Sequence, residues 1–318
     1  MLGAVFGHGV LIAALLIGAG GALVALIVRL VKGDGAPPAL LRALETLLTG
    51  ALGAFFAHTF IYLMLAAGHH SDLAVTLTSL FFFIWPGLVN VISLIAVHHP
   101  VIGEAALLWI ALAVGGAVGV MDGLWATHKW AGLGIIGFPL DVTWGLGGST
   151  NGVLLHLINT LITRHADGPD EIRHEAHRYI KGFRIKEDFA FTQGAVMSDM
   201  GEWTPASDLF QHESLHVWQN RLLGPFFWFS YTAWMLVTLV PALIAGLIGG
   251  AVGDALQWWT YFNNPWEVMA YGIANPTGRT GWNKAGWLCW PWVVAAALAL
   301  PIMGAIGVLF GFLFLKAY

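Results

Sequence analysis

The sequence is short of charge and cysteine and has no basic patch, and each shortage excludes a class of protein. Only 10% of its 318 residues are charged, whereas 58% are hydrophobic. Soluble domains are about one-quarter charged, so lipid must solvate part of this protein's surface. The single cysteine, Cys289, excludes a disulfide within the chain. The net charge of -4 and the lack of clustered cations predict that nucleic acid is not a partner.

Long apolar runs predict a polytopic membrane protein with the lipid bilayer as its partner. A membrane-spanning helix needs about 20 apolar residues. Runs of that kind occupy residues 4–28, 40–67, 73–97, 103–124 and 287–315. The first run is too long for the core of a secretory signal, so it predicts a transmembrane helix. Tryptophans flank several of the runs, as is typical of membrane interfaces. The sequence therefore predicts about five full spans.

Residues 125–224 have a different composition and predict an extramembrane domain. Eight of the chain's 14 lysines and arginines lie there. Helical periodicity over Ser149–Ile162 and Asp170–Lys181 predicts two helices, and alternation within Gly182–Asp199 predicts a half-buried strand with a turn at Gln193-Gly194. The predicted fold class is thus an all-α polytopic membrane protein with an inserted α+β, zincin-like extramembrane domain.

The helix predicted at Pro205–Leu223 carries the chain's main chemical motif. Thr204 is a plausible N-cap, and Gly224-Pro225 is a strong stop signal. The motif itself is His212-Glu213-Ser214-Leu215-His216, an HExxH sequence. A hydrogen-bonded pair of helical histidines is the alternative to a metal site.

The spacing of this motif suits zinc hydrolysis. His212 and His216 are four residues apart, so on a helix they share one face and can hold the same zinc ion. Glu213 lies beside that face, where it can act as the catalytic base. The carboxylate would accept a proton from a water molecule and later deliver it to the leaving amine.

A third zinc ligand is needed, and Glu267 is the preferred candidate. It lies on a second helix downstream, in the sequence NPWEVMAYGIAN. The alternative role for Glu267 is a helix cap, because Asn264 and Pro265 precede it as in a capping box. The competing ligands are Asp199, Glu202, His174 and His177.

The segment Pro225–Phe262 must then form a membrane hairpin. Its 38 residues allow two helices of about 18, and only a reversal keeps Glu267 on the histidines' side. The positive-inside rule would place Arg29, Lys32, Arg42 and Lys316 in the cytoplasm, and residues 125–224 and Glu267 on the periplasmic or exterior side. The predicted domains are a four-helix transmembrane region (1–124), the extramembrane domain (125–224), the hairpin with the third-ligand helix (225–286) and a C-terminal transmembrane helix (287–318).

The motif region also resembles a known group of proteins. HESLHVWQNRLLGP is similar to the HExxH-x-x-Q-x-x-x-x-GP signature of uncharacterised bacterial membrane-associated zincin-like proteins, in which a glycine-bearing strand precedes the motif and a Trp- and Glu-containing helix follows. The likeness covers roughly residues 182–276. It implies gluzincin-like ligation by His212, His216 and Glu267, with Glu213 as base. In plan, the chain loosely resembles the heat-shock and CAAX-processing membrane zinc metallopeptidases.

These features predict a zinc metallopeptidase of the bacterial inner membrane that hydrolyses peptides or membrane proteins. Tyr271 or Arg221 is expected to stabilise the oxyanion. An exposed strand edge can pair with an extended peptide, which makes Phe191, Thr192, Gln193 and Gly194 the predicted substrate-binding residues.

Two other functions fit the sequence. The chain can be a non-catalytic zincin-like subunit of a membrane complex, which keeps the scaffold for assembly with other subunits. It can also be a haem- or metal-binding redox subunit, because paired histidines lie in two short loops and one more lies within an apolar run (His69, His70, His98, His99 and His58). The metal content distinguishes the three functions. A peptidase would contain zinc, a non-catalytic subunit would contain no metal, and a redox subunit would contain iron or copper.

Overall fold

A computed structural model describes residues 7–162, 174–185, 189–201 and 206–276, most of which are helical. The described residues divide into two compact units, one that ends at residue 201 and one formed by residues 206–276. The boundary after residue 201 falls inside the predicted 125–224 domain. The small sheet and the HExxH helix therefore belong to different units.

The first unit contains helices followed by a small three-stranded sheet. The elements in chain order are α1 (His8–Val31), α2 (Ala36–Ala67), α3 (Asp72–Phe83), α4 (Trp85–Val97), α5 (Glu104–Trp125), α6 (Gly134–Asp141), α7 (Leu146–Ile162), β1 (His177–Arg178), β2 (Phe191–Gln193) and β3 (Val196–Ser198). Helices α1, α2 and α5 overlap most of the predicted first, second and fourth spans, and each is long and apolar enough to cross a membrane.

Glycines allow α1, α2 and α5 to pack closely. A Cβ atom at Gly53 of α2 would lie 2.3 Å from the carbonyl oxygen of Gly115 in α5, and a Cβ atom at Gly115 would lie equally close to the Gly53 carbonyl. Small residues at such contacts let helix backbones approach, which favours helix association in lipid. The same pairing shows that α5 runs antiparallel to α2, because Gly123 lies against Thr46, near the start of α2.

The apolar run 73–97 forms two short helices, where the sequence predicted one span. The break is at Ile84, whose φ is +46°, and Pro86 follows in the first turn of α4. Proline has no N–H to donate to the preceding turn, which weakens a helix at this point and favours the break at Ile84. The helices α3 and α4, of 12 and 13 residues, are each too short to cross a bilayer, which needs about 20.

Because of this break, α5 ends beside the start of α2 and not at the opposite end, as the predicted spans required. The indole N–H of Trp130, just after α5, donates to Glu45 Oε1 near the start of α2 at 2.7 Å. Residues that follow α5 thus lie at the same end as Arg42. The expectation that residues from 125 onward lie on the opposite side from Arg42 is wrong for this segment, since it counted 73–97 as a crossing.

The sheet has strand order β1-β3-β2, with β1 parallel and β2 antiparallel to β3. The predicted turn is confirmed, because Gly194 has a φ of +56° between β2 and β3. The helix predicted over Asp170–Lys181 is wrong in its described part. There the His177 N–H donates to the Ala195 carbonyl and the Tyr179 N–H to the Met197 carbonyl, so pairing with β3 replaces helical hydrogen bonds.

The second unit contains the motif helix and a reversal of the chain. Its described elements are α8 (Asp208–Leu223), α9 (Pro225–Gly249), α10 (Val252–Leu256), a π-helix (Gln257–Phe262) and α11 (Pro265–Ile273). Ser207 caps α8 by accepting from the Phe210 N–H, so the helix begins later than the predicted Pro205. The predicted cap Thr204 lies outside the described residues.

The predicted hairpin at 225–262 is confirmed as a reversal but not as two equal helices. Helix α9 has 25 residues and is long and apolar enough to cross a membrane, whereas the returning limb is short and partly π-helical. Gly250, with a φ of +67°, ends α9, and Trp234 Nε1 of α9 donates to the Trp259 carbonyl of the returning limb at 3.1 Å. The reversal returns the chain to the motif helix.

Candidate metal centre

Three side chains of the second unit converge as metal ligands do. His212 Nε2 lies 3.3 Å from His216 Nε2, and the Glu267 carboxylate lies 3.4 Å from each of them, through Oε2 to His212 and Oε1 to His216. All three residues are buried. Among the described residues, this is the one group of three or more His, Cys, Asp or Glu with ligand atoms close enough to share a metal ion.

Hydrogen bonds at the outer ring nitrogens orient both histidines. His212 Nδ1 lies 3.3 Å from the Ala274 carbonyl oxygen, which can only accept, so Nδ1 carries the proton. His216 Nδ1 lies 2.8 Å from Gln219 Oε1. In both rings Nε2 then faces the other ligands, where it can bind a metal once it is deprotonated.

Gln219 is a supporting residue to which the sequence analysis gave no role. Its Nε2 donates to the Trp266 carbonyl at 3.2 Å, which fixes the amide so that Oε1 faces His216. The side chain thus links the histidine helix to the residue just before Glu267. Such second-layer contacts orient metal ligands and set their basicity. The glutamine at the end of HESLHVWQ was the feature of the sequence that could have indicated this role.

The electrostatics of the three side chains fit a site for a cation. Burial opposes ionisation of Glu267, but His216 and His212 lower the pKa of its carboxyl well below the usual range. Burial likewise opposes a charge on His216, but Glu267 and more weakly Glu213 raise the pKa of its imidazole to about 9. In the metal-free protein a proton therefore takes the place of a cation between these groups.

The Glu267 side chain does not close a capping box. The Asn264 N–H donates to the Tyr261 carbonyl at 2.8 Å, while the Asn264 side chain caps α11 by accepting from the Trp266 N–H. Glu267 Oε1 accepts from the Tyr231 hydroxyl at 2.8 Å. Within the described part of the chain, no hydrogen-bond donor reaches the buried Oε2. An ionised oxygen without a donor is costly to bury, so this atom fits a metal ligand better than a cap.

The other predicted catalytic residues of this unit lie at different distances from the ligands. Glu213 follows His212 in α8 and is buried, and its charge acts on His216. The Tyr271 ring lies 4.4 Å from the His212 ring, between centroids. Arg221 is nine residues from His212, half a turn away round the helix, and its guanidinium lies over Trp218 at 4.9 Å. Of the two predicted oxyanion residues, Tyr271 is therefore the one beside the ligands.

The remaining predicted residues are not grouped with His212 and His216. The competing ligands His174, His177 and Asp199 belong to the first unit, and Glu202 lies outside the described residues. The predicted substrate edge, Phe191, Thr192, Gln193 and Gly194, also belongs to the first unit. Strand β2 does lie at an edge of the sheet, and its pairing with a peptide stays a prediction.

A second cluster of buried acids and bases lies in the first unit, and the sequence analysis missed it. Asp122, at the end of α5, accepts from His177 Nε2 at 2.8 Å and from His128 Nε2 at 3.2 Å. His128 Nδ1 contacts Glu175 Oε2 at 2.9 Å. With both ring nitrogens facing carboxylates, His128 must carry both protons, so the cluster is an ion-paired network. His177 is thus part of a strand and a charge network, and not of the helix predicted over Asp170–Lys181.

The paired histidines of the loops lie at helix ends. His70 Nδ1 contacts Glu104 Oε1 at 2.9 Å, and His98 ends α4 with a left-handed φ of +63°. Both residues are exposed, as are His69 and His99, whereas His58 is buried within α2. These positions suit interfacial and capping roles.

Comparison with protein families, with curated proteins and with solved structures finds no match to this chain.

Proposed function

We propose that this protein is an integral membrane zinc metallopeptidase that hydrolyses peptide bonds. His212, His216 and Glu267 would hold the ion, and Glu213 would serve as general base. The observation that carries the proposal is the convergence of two Nε2 lone pairs and one carboxylate within 3.4 Å of one another. Helices long and apolar enough to cross a membrane occur in both units and support the membrane assignment.

Zinc is proposed because the ligand set is of the kind that hydrolytic zinc sites use. Ligand atoms bound at about 2.0–2.1 Å in a tetrahedron lie about 3.3–3.4 Å apart. Here the two Nε2 atoms are 3.3 Å apart, and two different oxygens of the Glu267 carboxylate lie 3.4 Å from them, Oε2 from His212 and Oε1 from His216. Two imidazoles and one carboxylate are also a set that leaves a fourth position open in hydrolytic zinc sites. Glu267 Oε2 accepts no hydrogen bond from the described residues, and a bound cation would balance its charge.

A zinc ion at this site would supply a Lewis acid that polarises a peptide carbonyl and lowers the pKa of water to near neutral. The Glu213 carboxylate would accept the proton of the attacking water and deliver it to the leaving amine. Tyr271, beside His212, would donate a hydrogen bond to the carbonyl oxygen as it gains charge. Tyr231 would hold the Glu267 carboxylate in place through its hydroxyl.

The charges of the first unit favour a cytoplasmic position for residues that follow α5. Three cations lie where α1 ends and α2 begins: Arg29, Lys32 and Arg42. The Trp130–Glu45 contact lies at the same end of these helices. The positive-inside rule assigns such an end to the cytoplasm, which for a bacterial inner membrane replaces the predicted periplasmic side.

Metal analysis of purified variants tests the proposal. The wild type should carry one zinc ion per chain, and His212→Ala and Glu267→Ala should each lose it. Glu213→Gln should retain zinc and lose about a hundredfold or more in peptide hydrolysis. Gln211→Ala, an exposed position on the same helix, is the matched control.

Each alternative gives a different result in the same experiment. Full zinc occupancy in Glu267→Ala would exclude Glu267 as a ligand. A metal-free wild type would favour the non-catalytic subunit, and iron or copper would favour the redox subunit. Equal hydrolysis by wild type and Glu213→Gln would contradict the catalytic role of this carboxylate.

A further inference from the structure

The candidate metal centre lies beside the first two turns of α9, the helix of the second unit that is long and apolar enough to cross a membrane. The Tyr231 hydroxyl of α9 donates to Glu267 Oε1 at 2.8 Å. The Phe227 ring, in the first turn of α9, lies 6.3 Å from the His216 ring between centroids. Both helices that carry the ligands, α8 and α11, therefore contact the same end of α9.

The length of α9 sets the depth of these contacts in a bilayer. Its 25 residues make a helix about 37 Å long, whereas the hydrocarbon core is about 30 Å thick. A helix of this length that crosses the whole core leaves only about five residues outside it. The near boundary of the core then falls within residues 225–230, whichever end of the helix carries the excess.

The residues of α9 agree with a boundary near its start. Trp228, Tyr231 and Trp234 lie in this part of the helix, and tryptophan and tyrosine are typical of membrane interfaces. Every large apolar residue from Met235 to Ile248 is exposed, as lipid contact requires. Side chains on a helix lean toward its N-terminus, so the Tyr231 hydroxyl points toward the headgroups. The carboxylate ligand that it contacts therefore lies at headgroup level.

We infer, on the basis of the proposed peptidase function, that the substrate is a membrane-anchored polypeptide that is cut within about five residues of the bilayer boundary. The scissile carbonyl has to reach a metal ion that lies at headgroup level. A soluble chain must leave water to do so, whereas the segment that flanks a transmembrane helix is already at that depth. The headgroup layer is about 5–8 Å thick, which an extended chain crosses in two or three residues. An anchor also raises the effective concentration of the substrate at the site.

A depth measurement tests the location of the centre without relying on catalysis. A nitroxide would be attached to Ile273→Cys in a Cys289→Ser background, in vesicles of phosphatidylcholine and phosphatidylglycerol. Ile273 is 63% exposed and precedes Ala274, whose carbonyl contacts His212. Collision rates with oxygen and with a water-soluble nickel chelate should place this label within about 8 Å of the hydrocarbon boundary. Val237→Cys, at an exposed position in the middle of α9, is the control and should lie near the bilayer centre. A label at residue 273 that is fully in water would overturn the inference.

A substrate with a uniform repeat tests the position of the cut. It would contain a transmembrane helix of leucine and alanine, followed by several copies of the sequence Ala-Phe-Leu-Ser-Gly. Because every copy offers the same bonds, the position of the cut reports the distance of the metal centre from the bilayer. The full-length wild type in the same vesicles should cut within about five residues of the helix end. It should cut the same repeat without an anchor at least about tenfold more slowly, and Glu213→Gln should cut neither.

The outcomes separate this inference from the proposed function. Cuts that begin about ten or more residues from the helix end would overturn the membrane-anchored substrate and leave zinc-dependent hydrolysis intact. Equal rates for the anchored and free repeats would do the same. A wild type that lacks zinc, or that cuts neither repeat, would contradict the peptidase itself, and the inference would fail with it.

Discussion

Replacing Gln219 with alanine tests whether the buried polar groups around the ligands support a metal. Gln219 accepts from His216 Nδ1 at 2.8 Å and donates to the Trp266 carbonyl at 3.2 Å. Gln219→Ala leaves both of these buried groups without that partner. Losing a second-layer contact of this kind typically lowers metal affinity 10- to 100-fold, which corresponds to about 1.4–2.7 kcal/mol.

Zinc affinity would be measured by competition with a chromophoric chelator in detergent solution. Gln219→Glu keeps an acceptor for the His216 N–H, so it should bind zinc far more tightly than Gln219→Ala. Gln211→Ala, on the exposed side of the same helix, should match the wild type. Wild-type affinity in Gln219→Ala would refute the reasoning, as would an equal loss in Gln211→Ala, which would indicate a general effect on the helix.

Three other results are expected of the second unit. Tyr231→Phe keeps the ring but removes the 2.8 Å donor to the carboxylate ligand, so chelator competition should show zinc bound about tenfold more weakly. In the metal-free protein, the pKa of His216 is raised to about 9. The protonated ring therefore adds to the free energy of unfolding, fully below pH 6.5 and less as pH rises through 9. Melting curves should show this decline with pH, and added zinc should reduce it. Single cysteines at Leu222 and Ile273, which are 64% and 63% exposed, should be labelled from the same face of the membrane in a Cys289→Ser background, because the chain reverses between them; labelling from opposite faces would contradict the reversal.

The long spans could be predicted from the sequence because their signal is local. An apolar run of about 20 residues has few stable alternatives to a membrane helix, and α1, α2 and α5 match their predicted runs closely. The run 73–97 has the same hydropathy, yet it breaks at Ile84. Pro86 marked the break in the sequence, but buried polar contacts such as Asn90 Nδ2 to Ser79 Oγ at 3.1 Å, which join the two short helices, are not visible in a hydropathy pattern.

Pattern reasoning failed where strand pairing overrode local periodicity. The residues from His174 to Lys181 have helical spacing in the sequence, but Ala176, His177, Arg178 and Tyr179 are all buried. A charged helix with one apolar stripe would expose most of its residues. The partner that imposes the extended conformation is β3, about 20 residues downstream, and a local pattern carries no information about it.

The two carboxylate–imidazole groups explain why one site could be predicted and the other could not. In each, the two oxygens of one carboxylate face two different imidazoles: Glu267 faces His212 and His216, and Asp122 faces His128 and His177. The first pair of histidines lies on one helix at four-residue spacing, which places both rings on one face, where the two Nε2 atoms are 3.3 Å apart.

The second pair comes from segments about 50 residues apart, so only the tertiary fold brings its members to Asp122. The distance between the ring nitrogens also decides whether protons alone can satisfy the group or whether a metal ion can bind. Two Nε2 lone pairs at 3.3 Å repel each other unless a proton or a metal ion lies between them. Around Asp122, the carboxylate separates the rings, and Glu175 takes the other N–H of His128, so protons alone satisfy the network. Zinc should therefore bind at the helix pair and not at Asp122, and metal content in Asp122→Asn should equal that of the wild type.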